Sequence, residues 1–172
     1  MSEIVETTPA DAGLEGLVWR VREATPADAG DVASAVAALL AELGGTPPEG
    51  EAMKATAREL IEDREAGTVL VAESAEDGIV GAIAVNWPVA IHAVGAYGLI
   101  QDLWVHPAWR SRAVGASLLG AVGRIAGARG VGRIEVGLPR EGFAAIEATA
   151  GFYRRNGFEP LGPRMRLIVR PS

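Results

Sequence analysis

The chain has 172 residues, a net charge of -6 and no cysteine. The missing cysteines exclude disulfides, thiolate metal sites and cysteine nucleophiles and lean toward a reducing compartment, and the acidic balance argues against a general nucleic-acid binder. Hydrophobic residues make up 49% of the sequence but aromatics only 5%, so the expected core of one domain is built mostly from Ala, Val, Leu and Ile.

Residues 1–17 read as a disordered tail, acidic and without a basic-then-apolar signal pattern, and residues 18–172 read as one domain. No apolar run reaches the roughly 18 residues of a membrane span. A cytoplasmic protein is expected. The hexapeptide TPADAG occurs at 8–13 and again at 25–30, but the flanks differ and no period follows. VWRVRE (18–23) alternates as a first strand. Thr25 is then a helix cap, Pro26 suits the first helical position, and Asp28 lies near the positive end of the dipole. Val32, Val36, Leu39, Leu40 and Leu43 continue as a helical stripe that GGTPPEG (44–50) breaks.

A second helix is predicted over 51–64, with Met53, Ala57, Leu60 and Ile61 inward. Strands at 68–73 and 79–87 flank the acidic turn SAEDG, a hairpin signal. PVAIHAVGA follows as an unusually apolar loop, and 97–105 is a strand. Plain alternation puts Tyr97, Leu99, Gln101, Leu103 and Val105 on one face and Asp102 on the other, unless a bulge re-aims it. Val114, Leu118, Leu119, Val122 and Ile125 form a third helical stripe, ended by GARGVG. A strand at 133–138, a helix over 144–155 stopped by Asn156 and Gly157, and short strands near 158–161 and 165–169 complete the chain. The unit from 97 to 138 should be a right-handed parallel crossover, inside a mixed α/β sheet with helices on both faces.

The stretch VHPAWRSRAVGASLL (105–119) joins that strand to the third helix. The first N–H groups of a helix lack internal partners and sit at its positive end, so they suit an anion. Here they belong to Arg112, Ala113, Val114, Gly115 and Ala116; the small side chains leave the backbone accessible, and Arg110 and Arg112 add charge. The same residues also read as an ordinary strand–helix turn with solvated arginines.

DLWVHPAWRSRAVGASLL resembles the acyl-CoA-binding signature of the GNAT superfamily of N-acetyltransferases, an apolar strand, Val-x-Pro and Arg/Gln-x-x-Gly-x-Gly/Ala at a helix start. Arg110 matches its first position and Gly115 its last. FYRRNGF (152–158) resembles the family's late helix, and the likeness spans roughly 18–169. It implies a mostly antiparallel central sheet with helices on both faces and a parallel βαβ cofactor-binding unit. It also implies pyrophosphate on the turn amides of Arg112 to Ala116, and pantetheine along Leu103, Trp104 and Val105. Tyr153 would stand near the sulfur as proton donor, and a strand N–H would stabilise the oxyanion.

Three positions depart from the family pattern. Ala113 stands where a first glycine is usual, Ile146 where a polar asparagine often precedes the tyrosine, and Gln101 where a glutamate often serves as base. An amide takes no proton at neutral pH but can orient a water. His92, Glu73 and Glu135 are alternative bases, and His106 is expected to shape the turn or touch cofactor. The two histidines do not form a metal constellation. Trp87, Ile91 and Val94 are expected to form an exposed apolar patch, part of an acceptor site or a homodimer surface. The expected function is acetyl-CoA-dependent transfer of an acetyl group to a small-molecule or protein amine, with no nucleic-acid or membrane partner. The alternative is a GNAT-fold module that binds acyl-CoA without turnover.

Overall fold

The computed structural model describes residues 18–162, which divide into two units, one running to Val136 and the other starting at Gly137. The expected tail at 1–17 and terminal strand near 165–169 lie outside the described residues. In the first unit β1 (Trp19–Glu23) leads to α1 (Ala29–Glu42) and α2 (Gly50–Glu62). The hairpin of β2 (Gly67–Ser74) and β3 (Gly78–Asn86) follows. A small hairpin, β4 (Val89–Ala90) and β5 (Gly95–Ala96), stands where an apolar loop was expected. Then come β6 (Gly98–Val105), α3 (Val114–Ala128) and β7 (Ile134–Val136). The main sheet runs β1-β2-β3-β6-β7, antiparallel throughout except for the parallel pair β6–β7. The second unit carries α4 (Ile146–Arg155).

Helices cover both faces of the sheet. On one face Val32 and Ala35 of α1 pack with Val69, Val71, Ala82 and Ala84, and Ala57, Leu60 and Ile61 of α2 close over them. Val36, Leu39, Leu40 and Leu43 of the expected stripe are only half-buried, because small Ala29, Ala33 and Ala35 bring α1 closest to the sheet. The opposite face takes α3, whose Val114, Leu118, Leu119 and Val122 are buried as the stripe predicts. A Cβ at Gly81 would lie 3.0 Å from Val114 and 3.2 Å from Leu118, so glycine there lets α3 seat against β3.

Local chemistry moves several boundaries. Residues Pro26–Asp28 form a 3-10 turn before α1, because Asp28 is drawn into other bonds. Its carboxylate accepts from Thr25 N–H at 2.7 Å and from Arg22 at 2.7 and 3.0 Å. The strand expected near 158–161 is irregular chain, since the Phe158 N–H turns back to the end of α4 instead of joining a ladder. Trp87 is not part of an exposed patch: it is 7% exposed, and its Nε1–H donates to Thr68 Oγ1 at 3.0 Å. Val89, Ile91 and Val94 on the small hairpin are exposed.

Candidate active site

The site begins with a fault in register. Across β3 and β6, Ala84 pairs with Asp102 but the next residue, Val85, pairs with Ile100, so Gln101 is the extra residue of a β-bulge. Cross-strand partners share a face. Asp102 opposite Ala84 and Trp104 opposite Ala82 therefore face the α1 side, whose core contains both alanines. Ile100, Leu103 and Val105 face the α3 side. Plain alternation had grouped Leu99 with Leu103 and Val105 and set Asp102 apart; the bulge overturns that grouping and puts Leu99 with Asp102.

Gln101 is exposed at the bulge. Asp102 is half-buried and has no side-chain hydrogen-bond or ion-pair partner among the described residues. Burial raises its carboxyl above the ordinary aspartate range, because the charged form is desolvated.

The bulge also marks where β6 loses its other neighbour. Pairing with β7 covers only Gly98, Leu99 and Ile100. From Gln101 to Val105 that edge of β6 has no strand partner among the described residues. Backbone groups alternate between the two edges of the strand. His106 N–H donates to Val80 C=O, so Trp104 also faces β3, while Leu103 and Val105 turn their groups to the open edge, where Val105 C=O accepts from Arg110.

Beyond the strand, His106 Nδ1 accepts from Ala108 N–H at 3.2 Å and opens a 3-10 turn, Pro107–Trp109. Trp109 is buried, and its Nε1–H donates to Asp77 at 3.0 Å. Ser111 and Ala113 then adopt φ of 61° and 62°. Each is an L-residue in the left-handed region, at a cost of about 1–2 kcal/mol. The glycine missing from the sequence pattern is thus missing where its freedom would be used.

This conformation leaves a row of donors. The N–H groups of residues 111–116 bond no acceptor among the described residues, and the first helical bond runs from Ser117 N–H to Ala113 C=O at 2.9 Å. Ala113, at the N-cap, has no side-chain oxygen to occupy them. Successive free amides at a helix start form an anion-receiving concavity. The two arginines diverge. Arg110 Nη2 donates to both Glu42 oxygens at 2.7 Å, and its Nε donates to Val105 C=O at 3.0 Å. Arg112 lies over the Trp109 ring, 5.6 Å from its centroid.

The other candidate bases are engaged or remote. Hydrogen bonds from Arg22 and Arg20 hold the Glu73 carboxyl down at about 2, which makes it a poor base. Glu135 pairs with Arg133 at 2.7 Å. His92 is exposed on the small hairpin, its ring 6.0 Å from that of Tyr97.

In the second unit, α4 ends in a Schellman motif. Gly157 N–H donates to Arg154 C=O at 3.0 Å and Phe158 N–H to Tyr153 C=O at 3.1 Å, with Gly157 at φ 87°. The hydrophobic contact that accompanies such a stop is Phe158 against Tyr153, ring centroids 5.3 Å apart. This gives the Phe-Tyr-x-x-x-Gly-Phe pattern a physical reason. Tyr153 is buried, and burial pushes its phenol up to about 12. Ile146, the first residue of α4, offers no polar side-chain atom.

An α/β sheet whose central strand bulges, loses a neighbour and runs into a free-amide turn defines an acetyltransferase-type fold. The family model of the acetyltransferase (GNAT) domain matches residues 65–160, more than half of the chain, and the protein belongs to this family. Acetyl-CoA is the general co-substrate of that family. Solved structures share the fold. One is a possible acetyltransferase from Clostridium difficile 630, 19% identical, TM-score 0.74, covering 89% of this chain and 99% of that one. Another is an aminoglycoside acetyltransferase, HMB0005, from an uncultured soil metagenomic sample, 22% identical, TM-score 0.70, with coverage of 89% and 99%. A third is a predicted acetyltransferase with acetyl-CoA from Clostridium acetobutylicum, 16% identical, TM-score 0.71, with coverage of 88% and 96%. A search of curated protein sequences finds no match. No helix among the described residues is long and apolar enough to cross a membrane.

Proposed function

We propose that this protein is an acetyl-CoA-dependent N-acetyltransferase that moves an acetyl group to a primary amine by direct attack on the thioester. The observation that carries the reading is the continuity of the open β6 edge with the free amides at 111–116. Backbone groups along a strand suit an extended polar chain, and the helix start suits a pyrophosphate at its end. The residues fit that ligand: the donors are free, and Ala113, Gly115 and Ala116 do not shield them. Of the segment Leu103, Trp104 and Val105, the outward backbone groups of Leu103 and Val105 would pair with the pantetheine portion. Residues Arg112, Ala113, Val114, Gly115 and Ala116 would hold the pyrophosphate, with Arg110 bracing the turn.

Bound acetyl-CoA supplies an activated acyl group. Asp102 takes the proton from the attacking amine, in place of the glutamate common in the family. A carboxyl raised toward neutral pH is a better base than a solvated one. Gln101 beside it takes no proton and orients the amine or a water. As the C–N bond forms and the C–S bond breaks, the electron pair leaves with sulfur. Tyr153 donates a hydrogen bond to that sulfur. Its phenol, at about 12, keeps its proton at equilibrium against a thiolate of pKa about 8.5. The aminoglycoside acetyltransferase among the structures of this fold supports an amine acceptor, and the net charge of -6 suits a cationic one.

Mixing the protein with acetyl-CoA and a panel of primary amines while following free thiol tests the reading. Turnover is expected on at least one amine, lowered about 10- to 100-fold in Tyr153→Phe. Gln101 favours the second reading, a binding module without turnover. Tight CoA binding with no thiol release on any amine would establish that one instead.

A further inference from the structure

Glu42 is the last residue of α1, and no basic residue shares its turn. A carboxylate there faces the negative end of the helix dipole, an unfavourable place. Its side chain reaches out of α1 to two other elements. One oxygen accepts from Trp104 Nε1–H of β6 at 3.1 Å, and both accept from Arg110 Nη2 at 2.7 Å. Arg110 also donates to Val105 C=O, so the guanidinium is fixed at two points. The residue that follows Arg110 is Ser111, the first of the two strained residues.

Strained backbone persists only when its surroundings over-determine it. Downstream of Ala113 the turn is held by α3. Upstream, Arg110 is the last anchored side chain before the strain begins, and its carboxylate partner comes from a segment 68 residues away. Exposed ion pairs in general do little, but this one meets both carboxylate oxygens and belongs to a network with Trp104 and the strand backbone.

We propose that Glu42 is a positioning residue for the acyl-CoA turn: through Arg110 it holds Ser111 and Ala113 at positive φ and keeps the row of amides in its anion-binding shape. The proposal rests on the reading of that turn as the pyrophosphate site. It runs against simple charge arithmetic. Removing a carboxylate near an anion site should tighten CoA binding. If Glu42 works by holding the turn, its removal weakens binding, because a smaller fraction of the protein is competent.

The test is calorimetric titration of CoA into the full chain at fixed ionic strength. Four proteins are compared: wild type, Glu42→Ala, the pair Ser111→Gly with Ala113→Gly, and all three substitutions together. Glu42→Ala is expected to weaken CoA binding about three- to fivefold. In the glycine background, where positive φ needs no brace, the same substitution is expected to change the dissociation constant by less than about 1.5-fold. Equal or tighter binding in Glu42→Ala, or an equal loss in both backgrounds, overturns the proposal. Gly115→Glu separates the two levels. Absence of wild-type CoA binding, or unchanged affinity in Gly115→Glu, overturns the pyrophosphate reading and this inference with it. Loss in Gly115→Glu with no loss in Glu42→Ala overturns the inference alone. Thermal melts of each variant confirm that the compared proteins are folded.

Discussion

The bulge in β6 and the turn before α3 are neighbours in sequence, yet they fail differently when residues change. The turn presents backbone N–H groups, which every residue but proline supplies. Ser111 and Ala113 can therefore stand at φ of 61° and 62°, at a conformational cost, while the donors stay available. The bulge presents side chains. Which of Gln101 and Asp102 points toward the α1 side decides whether an amide or a carboxyl stands there. Sites built from backbone tolerate substitution and lose stability; sites built from side chains lose chemistry.

Three substitutions test that contrast. Gly115→Glu adds a carboxylate at the start of α3, where it suits the dipole and spares the fold but repels a pyrophosphate. CoA affinity measured by titration is expected to fall by about 100-fold or more. Asp102→Asn is expected to lower kcat by about 100-fold in the thiol-release assay while leaving CoA affinity unchanged. Because the Asp102 pKa is raised, the wild-type rate should fall as pH drops through a point above the ordinary aspartate range, and the variant should lack that limb. The stability sign follows from the same direction. Folding disfavours the ionised form, so Asp102→Asn should melt higher than wild type near neutral pH, with the difference fading in acid. Ala113→Gly should have the smallest effect, stabilising by about 1 kcal/mol and raising Tm by about 3 °C with no loss of CoA binding. A destabilised Ala113→Gly would break the contrast, since the turn would then not be strained at that position.

Much of this arrangement was legible in the residues themselves. The stripe from Val114 to Val122 and the small residues after Arg112 predicted the helix and its open start, because both depend on neighbours within a few turns. The bulge was not legible, because it exists only as a one-residue mismatch between β6 and β3. Alternation keeps Asp102 opposite Leu103 and Val105 as observed, but misplaces Leu99, which lies on the Asp102 face. The engagement of Glu73 depends on Arg20 and Arg22 from β1, about 50 residues away. Glu42 gave a faint signal, an acidic residue at the unfavourable end of a helix, but its partners lie in β6 and beyond it. Trp87 misled because an apolar loop suggests exposure, while its indole N–H had a partner in Thr68 of β2.

The stop at the end of α4 has a consequence for how the protein reaches this state. Tyr153 meets Phe158 through a closure of only a few residues, fixed by the Gly157 and Phe158 N–H bonds. Such a loop costs little entropy to close and lowers the local contact order. The contact between Tyr153 and Phe158 can thus form early, from residues close in sequence. The β6 carboxylate must wait until β3 has paired in the correct register.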